Sequence, residues 1–281
     1  MSRTPAQRPL PRSWFSHPRI TILPCDYSLE SLDFITQKFR PDSCVHLAWS
    51  HLQKDERNDP SHLTRSYQIS VDLVQALAKA GCQHFLGVGS QAEYALTGKV
   101  EGKITVSTPP QPHTAYGLGK YITGLATKKL CEMFGMQHTW LRLLVTYGPG
   151  EDRPSFIPYA VRQAIQGLTI EMTPGEQEWD FLYMDDFSDL VQKILETRFG
   201  GIFPVGSGTT TSLKEITEVL GRLKPDIRVD SSRPYGPREV FYLCADMASI
   251  QAAVGWKPKT SIEEGIRRVY EFEQGGLCTS S

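Results

Sequence analysis

No glycine occurs before Gly81 in a chain of 281 residues that carries 23 of them. Any glycine-rich phosphate-binding loop in that opening stretch is therefore excluded. Cysteine is sparse and scattered: Cys25, Cys44, Cys82, Cys131, Cys244 and Cys278 form no Cys-x-x-Cys pair and meet no histidine at zinc spacing. They read as reduced thiols of a cytoplasmic protein and not as a disulfide framework or a metal site. No apolar run reaches the ~18 residues of a membrane-spanning helix. A basic surplus is also lacking, with 30 Lys+Arg against 31 Asp+Glu and a net charge of −1. That balance argues against a nucleic-acid partner, because phosphate-backbone binders depend on clustered positive charge. The first 25 residues hold Arg3, Arg8, Arg12 and Arg19 but no Asp or Glu. Five prolines there oppose the amphipathic helix of a transit peptide, so residues 1–18 read as a leader or loop.

What is present alternates between short apolar runs and stretches of helical length. Arg19–Cys25 reads as a strand, closed by Asp26. Ser28 is placed to N-cap a helix to about Phe39, with Leu29, Leu32, Ile35 and Phe39 on one face. Cys44–Ala48 reads as a strand, His62–Ala80 as a helix stopped by Gly81, and Phe85–Val88 as a third strand ending in Gly89-Ser90. A helix from about Thr114 to Phe134 and a strand over Trp140–Val145 follow. The alternation implies a parallel α/β sheet covered on both faces. Beyond Gly148 the chain is richer in Pro, Gly and aromatics, with helices near Pro158–Gln166, Asp185–Thr197, Ser212–Leu223 and Ser261–Phe272. The expected division is a nucleotide-binding domain over 19–145 and a smaller substrate lobe over 146–281, partly interleaved with the sheet.

Tyr116 and Lys120 stand four apart and share one helix face. A tyrosine works as acid or base near neutral pH only if its pKa falls from ~10, and a nearby ammonium does that by favouring the phenolate. Of the 11 tyrosines, only Tyr116 has a lysine at that offset. Taken alone the pair is equally a solvated helix face. Ser90 changes the context, since it closes an apolar strand at the carboxyl edge where parallel sheets place ligands. A plain turn is the alternative for Ser90.

These residues, with others in the same order, resemble the extended short-chain dehydrogenase/reductases of the NAD-dependent epimerase/dehydratase family, which act on nucleotide sugars. The resemblance rests on Val45-His46-Leu47-Ala48, Gly87-Val88-Gly89-Ser90-Gln91-Ala92-Glu93-Tyr94 and Tyr116-Gly117-Leu118-Gly119-Lys120. It continues through Leu141-Arg142-Leu143, Tyr147-Gly148-Pro149-Gly150, Trp179-Asp180-Phe181-Leu182-Tyr183-Met184-Asp185-Asp186, Val205-Gly206-Ser207-Gly208, Ser212-Leu213 and Gly255-Trp256-Lys257-Pro258. It spans roughly residues 19–273 and implies a Rossmann-like doubly wound parallel sheet with a smaller C-terminal lobe.

The same resemblance implies NAD or NADP as cofactor and a nucleotide sugar as substrate. Tyr116 becomes the proton donor or acceptor, Lys120 the holder of the nicotinamide ribose, and Ser90 the hydroxyl that orients the substrate oxygen. Asp26 is expected near the adenine, Ala48 along the nucleotide cleft, and Arg3 at the place where a 2′-phosphate is met. Arg233 and Arg238, flanking Pro234-Tyr235-Gly236-Pro237, fall where relatives bind the pyrophosphate; as surface arginines they are equally solvated. The dehydratases follow the strand-end Ser/Thr with Asp-Glu, whereas this chain has Gln91 and Ala92, and Glu93 points elsewhere. A 4-keto reductase or an epimerase is thus expected rather than a dehydratase, with Gln91 facing substrate. Val145 stands where many epimerases keep an asparagine.

The family's opening strand and Gly-x-x-Gly-x-x-Gly loop have no counterpart in this sequence, so the first β-α-β unit is expected to be missing. The alternative to an enzyme is accordingly a cofactor-poor relative acting as a binding or regulatory protein. Trp179-Asp180 and Asp185-Asp186 read as a turn and a helix start rather than a metal site. A homodimer built on the helix carrying Tyr116 is possible within this family.

Overall fold

The computed structural model describes residues 17–50, 55–94, 102–151 and 155–278. In chain order its first half holds α1 (Leu29–Phe39), β1 (Ser43–His46), α2 (Arg65–Lys79), β2 (His84–Ser90), α3 (Ala115–Phe134) and β3 (Gln137–Leu143). Two short 3₁₀ turns, Asp55–Asn58 and Pro60–His62, precede α2, and a third, Gln91–Glu93, follows β2. The second half holds β4 (Val145–Tyr147), α4 (Phe156–Gln166), β5 (Thr169–Glu171), β6 (Glu178–Trp179), β7 (Phe181–Tyr183), α5 (Met184–Thr197) and β8 (Gly201–Val205). It closes with β9 (Thr211–Ser212), α6 (Leu213–Leu223), β10 (Arg228–Asp230), β11 (Tyr242–Leu243), α7 (Ala248–Val254) and α8 (Ile262–Cys278).

The central sheet is parallel, in the order β1-β2-β3-β8. Successive strand residues face opposite sides, and the sequence uses both. Phe85 and Trp140 meet Val74 and Leu77 of α2 and Cys131 of α3 on one face. Their neighbours Leu86 and Leu141 meet Leu190 and Ile194 of α5 and Ile250 of α7 on the other. Full burial on both faces is why these strands read as continuous apolar runs. A second core, around Tyr147, Ile157, Phe181, Ile216 and Ile266, joins β4, β7, α4, α6 and α8.

The helix starts follow their caps. Ser28 accepts from the Ser31 N–H, Thr114 from the Gly117 N–H, and Ser212 forms a reciprocal capping box with Glu215.

Two expectations are corrected. Arg19–Cys25 forms no strand, because a strand needs a hydrogen-bonded neighbour and none among the described residues flanks the outer edge of β1. Arg19, Thr21 and Leu23 instead line a cavity of about 470 Å³ whose other walls include Ile35, Phe39, Val45, Leu73 and Leu77. The strand expected over Trp140–Val145 is two: β3 stays in the central sheet, while Val145–Tyr147 leaves it to pair with Phe181–Tyr183.

Candidate active site

Ser90 ends β2 at the carboxyl edge of the sheet. Its Oγ accepts from the Ala92 N–H at 3.2 Å, and its own N–H donates to Glu93 Oε1 at 3.0 Å. Glu93 is fully buried and points into the protein, as its place one residue past Ala92 implies. It also accepts from Trp140 Nε1 at 3.1 Å and from Arg142 Nε at 2.7 Å. The Arg142 guanidinium lies over the Tyr94 ring, 5.0 Å from its centroid. The 3₁₀ turn after Ser90 is therefore clamped by a buried ion pair, and the half-buried Gln91 begins that turn.

The Tyr-Gly-Leu-Gly-Lys run opens α3. Its two glycines serve close approach: a Cβ on Gly117 would lie 2.3 Å from the Ala92 carbonyl oxygen, and one on Gly119 2.5 Å from that of His62. The start of α3 thus sits directly against both the Ser90 turn and the His62 turn. Asn58 adds a tie, its Oδ1 accepting from the Ala115 N–H at 3.2 Å.

Lys120 is 5% exposed and donates to the Val88 carbonyl, two residues before Ser90, at 2.7 Å. Its ammonium lies 4.0 Å from the centre of the Trp49 ring. Burial pushes the Lys120 ammonium down to about 7, opposed by the charge of Glu93. Tyr116 meets the Trp49 and His62 rings edge-on, at centroid distances of 6.4 and 5.3 Å, and the Arg57 guanidinium lies 5.5 Å from its ring. Trp49 Nε1 donates to His62 Nδ1 at 3.0 Å, which assigns the His62 proton to Nε2, 3.1 Å from the Glu56 carbonyl.

The structure thus brings Ser90, Gln91, Tyr116 and Lys120 to one sheet edge, with Ala48 exposed beside them at the end of β1. Asp26 holds the turn before α1, where hydrogen bonds from Ser31 and Ser28 keep its carboxyl at about 2. No contact among the described residues joins it to Lys120. Arg233 and Arg238 are exposed on a loop tied down by Tyr235, whose hydroxyl donates to Glu176 at 3.1 Å. Arg3 lies outside the described residues.

Asp180 is buried and accepts from the Ser207 hydroxyl and from the Gly208 and Ala245 N–H groups, which makes it a structural anchor. No group of three or more His, Cys, Asp or Glu among the described residues could hold a metal. No helix among them is long and apolar enough to cross a membrane.

Trp49, His62 and Arg57 escaped the sequence reading. Trp49 directly follows the Val45–Ala48 run, and an indole at a strand's carboxyl end was the one available signal. His62 and Arg57 carried no spacing pattern.

The chain is similar to several proteins of known activity or structure. The chain is 26% identical over 249 residues to the GDP-6-deoxy-D-mannose reductase of Pseudomonas aeruginosa, covering 82% of this chain and 79% of that one. It is 20% identical to the dTDP-4-dehydro-6-deoxyglucose reductase of Escherichia coli, over 96% of this chain and 86% of the other. Among solved structures, RMD from Pseudomonas aeruginosa complexed with NADPH superposes with a TM-score of 0.80 at 22% identity, over 93% of this chain and 92% of that one. The UDP-glucose 4-epimerase of Thermotoga maritima with UDP-glucose gives 0.79 at 21% identity, over 89% and 83%. The family model described as NAD dependent epimerase/dehydratase matches residues 5–206, and the chain belongs to that family.

Proposed function

We propose that this protein is an NAD(P)-dependent nucleotide-sugar reductase or epimerase, acting by hydride transfer with Tyr116 as its acid/base group. The observation that carries this reading is the convergence of Ser90, Tyr116 and Lys120 at one carboxyl edge of the parallel sheet. The donor types fit the nicotinamide end of the cofactor: Lys120 and Tyr116 carry groups that hydrogen-bond ribose hydroxyls, with the Lys120 ammonium lying beneath the Trp49 ring, and Ala48, two residues past β1, is exposed. Residues 1–80 of the sequence contain no glycine. Arg3 and Asp26 remain the candidate groups toward the adenine end.

When bound, the nicotinamide ring supplies or accepts the hydride. Tyr116 gives a proton to the sugar's keto oxygen, or takes one from the corresponding hydroxyl. Ser90 Oγ hydrogen-bonds the same oxygen. A charged Lys120 favours the phenolate form of Tyr116. Gln91 and Ala92 supply neither the acid nor the base of a water elimination, so the sugar's exocyclic carbon–oxygen bond β to the keto carbon stays intact. Arg233 and Arg238 are assigned to the substrate pyrophosphate, for which paired guanidinium donors are suited.

Tyr116→Phe tests the reading in a reduction assay with a nucleotide-4-keto-6-deoxysugar and NADPH. Loss of the proton donor should lower kcat/KM by about 10²–10⁴-fold with the thermal midpoint preserved; turnover within about twofold of the parent would overturn the assignment. A second reading, a cofactor-poor binding protein, is favoured by the covered state of Lys120. Calorimetric titration with NADH and NADPH separates the two, since that protein would bind neither.

A further inference from the structure

The polar head of Lys120 is enclosed by groups of the protein itself. One of its three N–H bonds goes to the Val88 carbonyl, the Trp49 indole covers it at 4.0 Å, and 5% of the residue is exposed. Trp49 is only half-buried. Among the described residues it meets His62 through Nε1–H to Nδ1 and a stacked arrangement of the rings, Tyr116 edge-on, and the Lys120 ammonium. His62 is the fixed end of this latch. It is fully buried, its Nε2 is held at the Glu56 carbonyl, and its backbone is packed against Gly119.

From this geometry we infer that Trp49 is a cover over Lys120, latched by His62, that must swing aside before any ligand hydroxyl can reach the ammonium. Resting on the reading given above, the ligand class is the ribose diol of a nicotinamide dinucleotide. An ammonium and an indole face attract each other, and an apolar roof keeps water from replacing that contact. Ligand hydroxyls therefore compete with the indole, and apparent affinity falls by the fraction of molecules in which Trp49 is displaced. Trp49 is a positioning residue: it acts through Lys120.

The test uses the full chain as wild type, Trp49→Ala and Trp49→Phe, the last keeping the ring face but losing the indole N–H. Each is treated with an amine-reactive ester, and peptide mass spectrometry follows Lys120 against the exposed Lys193. NADH and NADPH are titrated in parallel by calorimetry. With the exposed Lys193 as internal reference, the cover predicts that Lys120 is acylated at least about tenfold faster in Trp49→Ala than in the wild type, and that Trp49→Phe falls between. It also predicts about tenfold tighter binding of at least one dinucleotide to Trp49→Ala.

Lys120 labelling unchanged by either variant would overturn the inference. Faster labelling with weaker dinucleotide binding in Trp49→Ala would overturn it too, since Trp49 would then be a stacking platform. Faster labelling with no dinucleotide bound by any form leaves the cover standing and removes the dinucleotide reading instead. Should Trp49→Ala fail to fold, the Trp49→Phe labelling decides: no acceleration overturns the latch.

Discussion

Ser90 is held in place by a residue that never faces the ligand side. Glu93 spends its carboxylate on the Ser90 N–H, the Trp140 indole and the Arg142 guanidinium, all without exposure to water. Removing one partner of a buried ion pair leaves the other charge uncompensated, at a cost of about 3–5 kcal/mol. Glu93→Ala should lower unfolding stability in urea by that amount, and Glu93→Ala with Arg142→Met should recover most of it. A single-variant loss below about 1 kcal/mol would mean that the pair is not what secures the turn. That Glu93 does not take the place of the dehydratases' acid/base pair was legible in the sequence, since it stands one residue beyond it; that it folds back to cap the turn at Ser90 was not. Its partner Arg142 is separated from it by 49 positions and was visible only as part of a Leu-Arg-Leu strand. Trp49 and His62 were illegible for a similar reason: their contact is made by two turns that only the tertiary fold brings together.

At the scale of elements, caps and apolar periodicity located the starts of seven of the eight α-helices among the described residues to within about three residues, with Ser28, Thr114 and Ser212 each at the N-cap; α7 was not anticipated, and α8 runs to Cys278, past the expected Phe272. Arg19–Cys25 failed because alternation encodes which face is apolar and says nothing of whether a neighbour exists to pair with. The strands also carry a histidine row that the sequence did not announce. His46 of β1, Phe85 of β2, and His138 and Trp140 of β3 follow one another with centroid separations of 5.9, 5.9 and 6.3 Å. His46 Nε2 meets Ser70 Oγ of α2 at 2.9 Å, and His138 Nε2 meets Thr127 Oγ1 of α3 at 3.0 Å. Each hydroxyl already donates to a helix carbonyl, so the ring Nε2–H is the donor in both pairs.

Burial pushes both histidines down to about 4, with the charge of Lys120 adding to the effect at His46 and that of Lys128 at His138. A pKa depressed by folding means that the unfolded chain takes up its protons first as pH falls. Their contribution is complete above about pH 6.5 and is lost between there and pH 4. Urea midpoints should be flat from pH 8 to about 7 and decline across that window, well above the range in which Asp26 titrates. Replacing both histidines by glutamine should flatten the decline; an equal slope in the double variant would remove them as its source.

The molecule as a whole presents α3 with two distinct faces. Gly117, Lys120, Gly124, Thr127 and Cys131 are buried, and the absent side chain of Gly124 lets the Trp140 ring lie against the helix. The opposite face carries Leu118, Ile122 and Leu125, with Leu118 39% and Leu125 43% exposed. A helix stripe of that composition is stabilised by covering it, and two copies of one chain do so with a self-complementary patch. If two copies associate through this stripe, the helix that carries Tyr116 and Lys120 at its start would be held from outside as well, and association would then bear on the geometry at that start. Full-length protein should sediment as a dimer at micromolar concentration, and Leu118→Glu with Leu125→Glu should shift it to monomer. Because these side chains lie outside the protomer's core, the charged variant should keep its secondary structure while Tyr116-dependent turnover declines. A wild-type chain that stays monomeric at about 100 μM, well above the dissociation constant of a specific interface of standard size, would show that this face is solvated as it stands.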